Sequence, residues 1–250
     1  MNKVKTVRYL YLSLSFLYFC GDFNANLGFD HCLKSNSNME VHKLTYNPFQ
    51  ENTYVVSDDE KNCVIIDPGC YFQEEKEALK SFITNNGFKV LALLNTHAHL
   101  DHIMGNAYVK RIFDVDLYLH RADQVTLNMG EQSAQVYGLE LFETSPQPDH
   151  FIEEGERLKF GAIEFDVIFA PGHAPGHVVF YNSDQHLLIN GDVLFRGSYG
   201  RVDLPGGDFE TLKKSIQNKL FHLPDETLVY TGHGPETRIG DERKSNPINW

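Results

Sequence analysis

Short apolar runs alternate along the chain with breaks rich in Gly, Pro and Asn. Val41 to Tyr46, Thr53 to Ser57 and Cys63 to Ile66 have the length and β-branched content of strands, the last running into Asp67-Pro68-Gly69. Gln73 to Asn85 has helical spacing, with Ala78, Leu79, Phe82 and Ile83 inward and Gly87 placed to end it. Val90 to Leu94 is unbroken and apolar, which predicts a strand buried on both faces. Ile103 to Phe113, apolar at 103, 107, 108 and 112, predicts a helix, and Asp116 to Leu119 a strand. Arg121 to His150 predicts a helix and a long loop, of the kind that walls an active site. Arg157 to Phe160 and Glu164 to Phe169 alternate around Gly161 as a hairpin; His177 to Tyr181 and His186 to Ile189 form another. Asp208 can cap a helix from Phe209 to Leu220, with Phe209, Leu212, Ile216 and Leu220 on one face. Thr227 to Tyr230 is the last predicted strand, and a short tail follows. This order predicts an α/β protein of two sheets packed face to face with helices outside, not a doubly wound parallel sheet.

Composition changes the picture little. With 250 residues and 42% hydrophobic content the chain can bury one full core. The formal charge of −12 comes without any basic block, so there is no electrostatic footprint for nucleic acid. Cys20, Cys32, Cys63 and Cys70 lack C-x-x-C spacing and read as plain thiols of a reducing compartment, which predicts a cytoplasmic protein. Met1 to Asn38 is out of character with the rest: a basic start, an apolar run from Tyr9 to Cys20 too short to span a bilayer, then a polar stretch. It resembles a signal peptide without a small-x-small cleavage site. Residues 1–38 are therefore read as an extension, either a mis-called start or a signal-like segment, and residues 39–250 as the domain.

The candidate chemistry is concentrated after the buried strand. His97, His99, Asp101 and His102 form H-x-H-x-D-H, four metal ligands within six residues where a strand gives way to a helix. Two residues apart in extended chain, His97 and His99 project to one side. Imidazole with carboxylate suits zinc, or iron or manganese. Four residues this close cannot enclose two ions, and three later motifs offer partners: Ala170-Pro171-Gly172-His173, Asn190-Gly191-Asp192 and Thr231-Gly232-His233-Gly234. Each puts a ligand beside glycine just after an apolar strand. His177 is expected to start a strand and make a supporting contact; His120, His150, His186 and His222 lie outside every motif. Arg196 and Arg201 can pair with Asp203.

From Met39 to about Asn249 these blocks, in this order, closely resemble the metallo-β-lactamase superfamily. The resemblance implies an αβ/βα four-layer sandwich with two divalent metal ions, zinc first, iron or manganese as alternatives. His97, His99 and His173 would hold one ion, and Asp101, His102 and His233 the other. Asp192 would bridge them, and Asp67 would orient a ligand histidine. It also implies hydrolysis by a hydroxide between the ions, with Asp101 orienting it and taking its proton. Aspartate at 192, where the common class B β-lactamases have cysteine, argues against that group. Gly191 to Asp208 and the ending Gly232-His233-Gly234-Pro235-Glu236-Thr237 resemble glyoxalase II, in a short bacterial branch without the helical C-terminal domain. That implies a small-molecule hydroxyacyl thioester such as S-lactoylglutathione as substrate, with Arg201 as a candidate contact. Persulfide dioxygenases, which would hold one iron on His97, His173 and Asp192, share Gly200-Arg201-Val202-Asp203 and are the alternative. A non-catalytic metal-binding module is the third reading; its relatives usually lose ligands, and all seven positions are filled here.

Overall fold

A computed structural model of the chain describes residues 38–250. The reading of residues 1–38 as an extension falls, except for Asn38, outside the described residues. The first sheet takes β1 (Glu40–Tyr46), β2 (Glu51–Ser57), β3 (Asn62–Ile66), β4 (Lys89–Leu94), β5 (Leu117–His120) and β6 (His150–Ile152) in sequence order. Its first three strands are antiparallel meanders; β3 to β6 run parallel, because helices cross over between them. The second sheet contains β7 (Arg157–Phe160), β8 (Ile163–Phe169), β9 (Val178–Asn182) and β10 (Leu187–Gly191). After a small hairpin, β11 (Leu194–Phe195) and β12 (Ser198–Tyr199), it is completed by β13 (Leu228–Thr231) and β14 (Thr237–Arg238) in the order β14-β13-β10-β9-β8-β7.

Three apolar layers hold the sheets and helices together. Between the sheets, Tyr54, Val56, Val64, Ile66 and Leu94 meet Phe165, Val167, Phe180 and Ile189. Behind the first sheet, Leu79 and Ile83 of α1 (Gln73–Asn86) pack with Val55, Ile65 and Leu93. After α2 (Leu100–Ile103), α3 (Asn106–Phe113) adds Tyr108 and Val109 to that layer. Two short helices, α4 (Gln124–Asn128) and α5 (Gly130–Val136), precede β6. Behind the second sheet, Leu212 and Ile216 of α6 (Phe209–Asn218) pack with Val179, Leu188 and Val229. The result is the helix–sheet–sheet–helix sandwich that the order of elements predicts. Among the described residues no helix is long and apolar enough to cross a membrane.

Several local expectations need correction. Ala78 is exposed, and the inward row of α1 is Lys76, Leu79 and Ile83. The Lys76 stem runs inward beside Tyr108 while its ammonium reaches Glu143 at 2.6 Å, so an amphipathic side chain covers apolar surface. The helix expected over Ile103 to Phe113 is broken at Met104–Gly105, and Ile112 is 40% exposed. The break lets the Gly105 N–H donate to the Pro68 carbonyl at 2.6 Å, a position where a Cβ would meet that oxygen at 2.7 Å. Arg121 to His150 carries more helix than expected and ends in an edge strand. The helix after Asp208, whose carboxylate accepts from the Thr211 N–H at 2.8 Å, stops at Asn218; Leu220 falls in a separate 3-10 turn. The tail is structured too: β14 is followed by α7 (Ile239–Ser245).

Candidate metal centre

The candidate ligands lie at one edge of the sandwich, just past the ends of β4, β10 and β13 and after β8, with Asp101 and His102 on the short helix α2 and the others on loops. The route of β4 into its loop is held from both sheets. Asn95 N–H donates to the Tyr118 carbonyl at 3.0 Å, and Thr96 carbonyl accepts from Val178 N–H of β9 at 2.9 Å. Where β10 pairs with β13 the register shifts between Ile189 and Gly191. Such an irregularity re-aims the next side chain, here Asp192. Gly191 takes φ +52°, and a Cβ there would lie 2.4 Å from Thr96 Oγ1; a Cβ at Gly232 would lie 2.1 Å from Asp192 Oδ1. Glycine at both places is therefore a requirement of close approach.

Two groups of side chains converge. In the first, His97 Nε2 is 3.2 Å from His173 Nε2, which is 2.8 Å from His99 Nδ1. In the second, His233 Nε2 is 3.0 Å from Asp101 Oδ2, and His102 Nε2 is 3.8 Å from the same oxygen. Asp192 touches both: its Oδ2 is 3.5 Å from His173 Nε2 and 3.5 Å from His233 Nε2, and its Oδ1 is 3.5 Å from His102 Nε2. Each group could hold a metal ion. A third grouping, Asp67 with His97 and His102, lies behind them. Asp67 is already engaged there as an acceptor: Oδ1 takes the Thr96 N–H at 2.7 Å, and Oδ2 takes the Thr96 hydroxyl at 2.6 Å and His102 Nδ1–H at 3.1 Å.

The outer ring nitrogens fix which way the histidines face. His102 Nδ1–H donates to Asp67, His173 Nδ1–H to the Arg201 carbonyl at 2.7 Å, and His233 Nδ1–H to the Phe49 carbonyl at 3.1 Å. His97 Nδ1–H donates to Thr96 Oγ1 at 3.1 Å, since that hydroxyl spends its own proton on Asp67. In these four residues the inward Nε2 is left as a lone pair or a site for one proton, the arrangement that metal-ligating histidines use.

The electrostatics divide the centre. Burial, then neighbouring imidazoles, pushes His99 down to about 3 and holds His97 well below its ordinary value; burial also lowers His173 against the pull of Asp192. This trio is neutral at physiological pH, as nitrogen ligands must be. His102 is the opposite case. Burial would lower it, but Asp192 and Asp101 beside it raise it well above its ordinary value. For Asp101 and Asp192, burial raises the pKa, but His102 and the other rings outweigh it and hold both carboxyls below their usual range. A buried cluster of this kind calls for positive charge. His102 Nε2, His99 Nε2 and Asp192 Oδ1 are buried without a hydrogen-bond partner among the described residues. The donor set, the orphaned inward atoms and the carboxylate excess all fit divalent metal ions.

Some participants escaped the sequence reading or were placed only loosely by it. His177, fully buried, stacks on His97 at 4.5 Å and accepts the Asp192 N–H at Nε2, 3.1 Å away. Asn52 donates to the carbonyls of Thr231 and Gly234, both at 3.0 Å, and so holds the His233 turn. Glu51 is buried behind His102, its carboxyl pushed up by burial, with Oε1 3.9 Å from His102 Nδ1. The only sequence signal was polar residues in otherwise buried β2. Arg201 is exposed at the mouth and pairs with Asp203 through two contacts of 2.7 Å. Phe49 and Tyr137, also exposed, meet edge to face at 5.4 Å beside the second group.

Comparison with known proteins agrees with the geometry. The metallo-β-lactamase superfamily profile matches residues 46–233. Hydroxyacylglutathione hydrolase GloC of Haemophilus influenzae is 38% identical, over 84% of this chain and 98% of the relative. Among solved structures, the BLEG-1 B3 metallo-β-lactamase is similar with TM-score 0.76 and 37% identity, covering 84% of this chain and 99% of that one. TTHA1623, solved in a di-iron-bound form, has TM-score 0.74 and 41% identity, covering 82% and 98%. With its fold, its ligand clusters and this match over most of its length, the chain belongs to the metallo-β-lactamase superfamily.

Proposed function

We propose that the protein is a binuclear metallo-hydrolase that cleaves hydroxyacyl thioesters, S-lactoylglutathione being the model substrate. In this reading His97, His99 and His173 hold one ion, Asp101, His102 and His233 the other, and Asp192 is shared. The observation that carries it is the Asp192 carboxylate, which lies 3.5 Å from an inward nitrogen of each group. Zinc suits these N and O donors; iron and manganese take the same ligands, and the di-iron form of TTHA1623 supports iron. Divalent ions in such a site supply Lewis acidity and make water acidic enough to ionise near neutral pH.

The chain's own residues supply the rest. Asp101, kept ionised beside His102 and His233, presents Oδ2 as the acceptor for the attacking water's proton. Thr96, Asp67 and the Arg201 and Phe49 carbonyls keep the histidines aimed, so no reorganisation is needed during reaction. Phe49 and Tyr137 form an apolar wall for the acyl chain, and Arg201 meets an anionic group of the substrate. A thiolate, with a conjugate-acid pKa of about 8.5, leaves without being protonated, whereas an amide nitrogen cannot. The 38% identity with GloC points the same way.

Identity with BLEG-1 favours β-lactam hydrolysis as a second reading. Zinc-loaded protein assayed in parallel on S-lactoylglutathione and a chromogenic cephalosporin separates the two. Thioester turnover at least about a hundredfold faster supports the proposal, and cephalosporin turnover alone overturns it.

A further inference from the structure

Asp123 lies in none of the ligand motifs, yet it is fully buried at the same edge of the sandwich. It ends the 3-10 turn Arg121–Asp123 that follows β5. Its two oxygens serve two different loops. Oδ2 accepts the Ala98 N–H at 2.5 Å, and Oδ1 accepts the Gly176 N–H at 2.9 Å and the Thr126 hydroxyl at 3.2 Å. Ala98 stands between His97 and His99, and Gly176 between His173 and His177. The second contact is tight: a Cβ on Gly176 would lie 2.3 Å from the Asp123 nitrogen. The ordinary explanation for such an aspartate is a helix cap. Asp123 does occupy the residue before α4, but its side chain takes no backbone N–H of that helix. Burial raises its carboxyl to about 6, against the hydrogen bonds that lower it, so an ionised group here is kept at a cost in stability.

We propose that Asp123 is a positioning residue for the three-histidine group, tying the His97–His99 loop to the His173 turn so that their nitrogens converge before an ion binds. This rests on reading that group as metal-holding. The task needs two acceptor oxygens and no donor, one for each loop, which among neutral or anionic side chains means a carboxylate. Asparagine has the same size but only one acceptor, and would turn an amide N–H toward a backbone N–H.

The test measures zinc affinity of the full chain by competition with a chromophoric chelator, in two backgrounds that each leave one group intact. With His233→Ala, which spares the three histidines, adding Asp123→Asn is expected to weaken zinc binding about 10- to 100-fold, the usual loss when a partner behind a ligand is removed. With His99→Ala, which spares Asp101, His102 and His233, the same substitution should change affinity by less than about twofold. Loss in both backgrounds alike would make Asp123 merely structural and overturn the inference, as would no loss in the first. If Asp123→Asn does not fold, Thr126→Val, which only loosens the carboxylate, should weaken the first background about threefold and spare the second; no loss there is equally contradictory. Failure of the unsubstituted protein to bind zinc would instead overturn the metal-centre reading itself, and the inference with it.

Discussion

The two halves of the centre solve opposite problems. The His97–His99–His173 group is neutral, with His97 and His173 buried and His99 half-buried, so it can hold an ion only through lone pairs aimed in advance. The Asp101–His102–His233 group is charged: two carboxylates face a histidine they have driven towards protonation, and His233 is partly exposed. The first depends on positioning by Thr96, the Arg201 carbonyl and Asp123; the second is aimed as well, by Asp67 and the Phe49 carbonyl, but adds charge. Asp192 lies 3.5 Å from an inward nitrogen of each. The first is also the more enclosed, while the second lies at the open side, next to Phe49, Tyr137 and Arg201.

The most damaging way to break the comparison is to remove the shared residue. Asp192→Ala should lower thioester kcat/KM on the order of 10³-fold, the upper end for one preorganised electrostatic contact, and reduce bound metal while the protein still melts cooperatively. Full metal loading with normal turnover would remove the bridging role. A smaller effect separates the halves: His99→Ala and His233→Ala should each reduce bound metal from about two ions per chain to about one, read by elemental analysis.

Acid–base behaviour sharpens the contrast further. In the metal-free protein His99 has a folded pKa of about 3 against 6.5 unfolded, so its stabilising share is complete above 6.5 and is lost as pH falls towards 3. His233 is raised, so its share is complete below 6.5 and is lost as pH rises through its folded value. Denaturation of the metal-free protein across pH should therefore show less acid-side loss in His99→Ala and less alkaline-side loss in His233→Ala. The same slope in both variants would contradict the division. The smallest expected effect is at the mouth: Arg201→Ala should raise KM a fewfold, about two to five, with kcat unchanged, because its guanidinium is exposed and already shared with Asp203. A fall in kcat instead would move Arg201 into the reaction itself.

Much of this centre is legible in the sequence. A ligand motif directly after an unbroken apolar run such as Val90–Leu94 announces a strand-end site, and glycines beside His173, Asp192 and His233 announce close approach. What could not be read is whatever depends on two distant segments meeting. Asp123 looked like any turn aspartate in an opaque stretch, because its partners Ala98 and Gly176 offer only backbone N–H groups and leave no trace in side-chain pattern. Asn52 was hidden by the same cause, since it donates to backbone carbonyls, and both it and Glu51 precede Thr53, where the predicted strand begins, although the strand itself starts at Glu51. The break at Gly105 was missed because helical spacing continues on both sides of it. The kink answers to Pro68, more than thirty residues earlier.

The most direct test of the central claim is a zinc titration of metal-free protein with S-lactoylglutathione hydrolysis followed at each point. Two ions held per chain on the two groups, with thioester cleavage reaching its plateau only as the second site fills, is the predicted result. Saturation at a single ion, or two ions bound without thioester cleavage, would contradict it, and a lone iron in protein as isolated would redirect the search to oxygen-dependent chemistry at His97, His173 and Asp192.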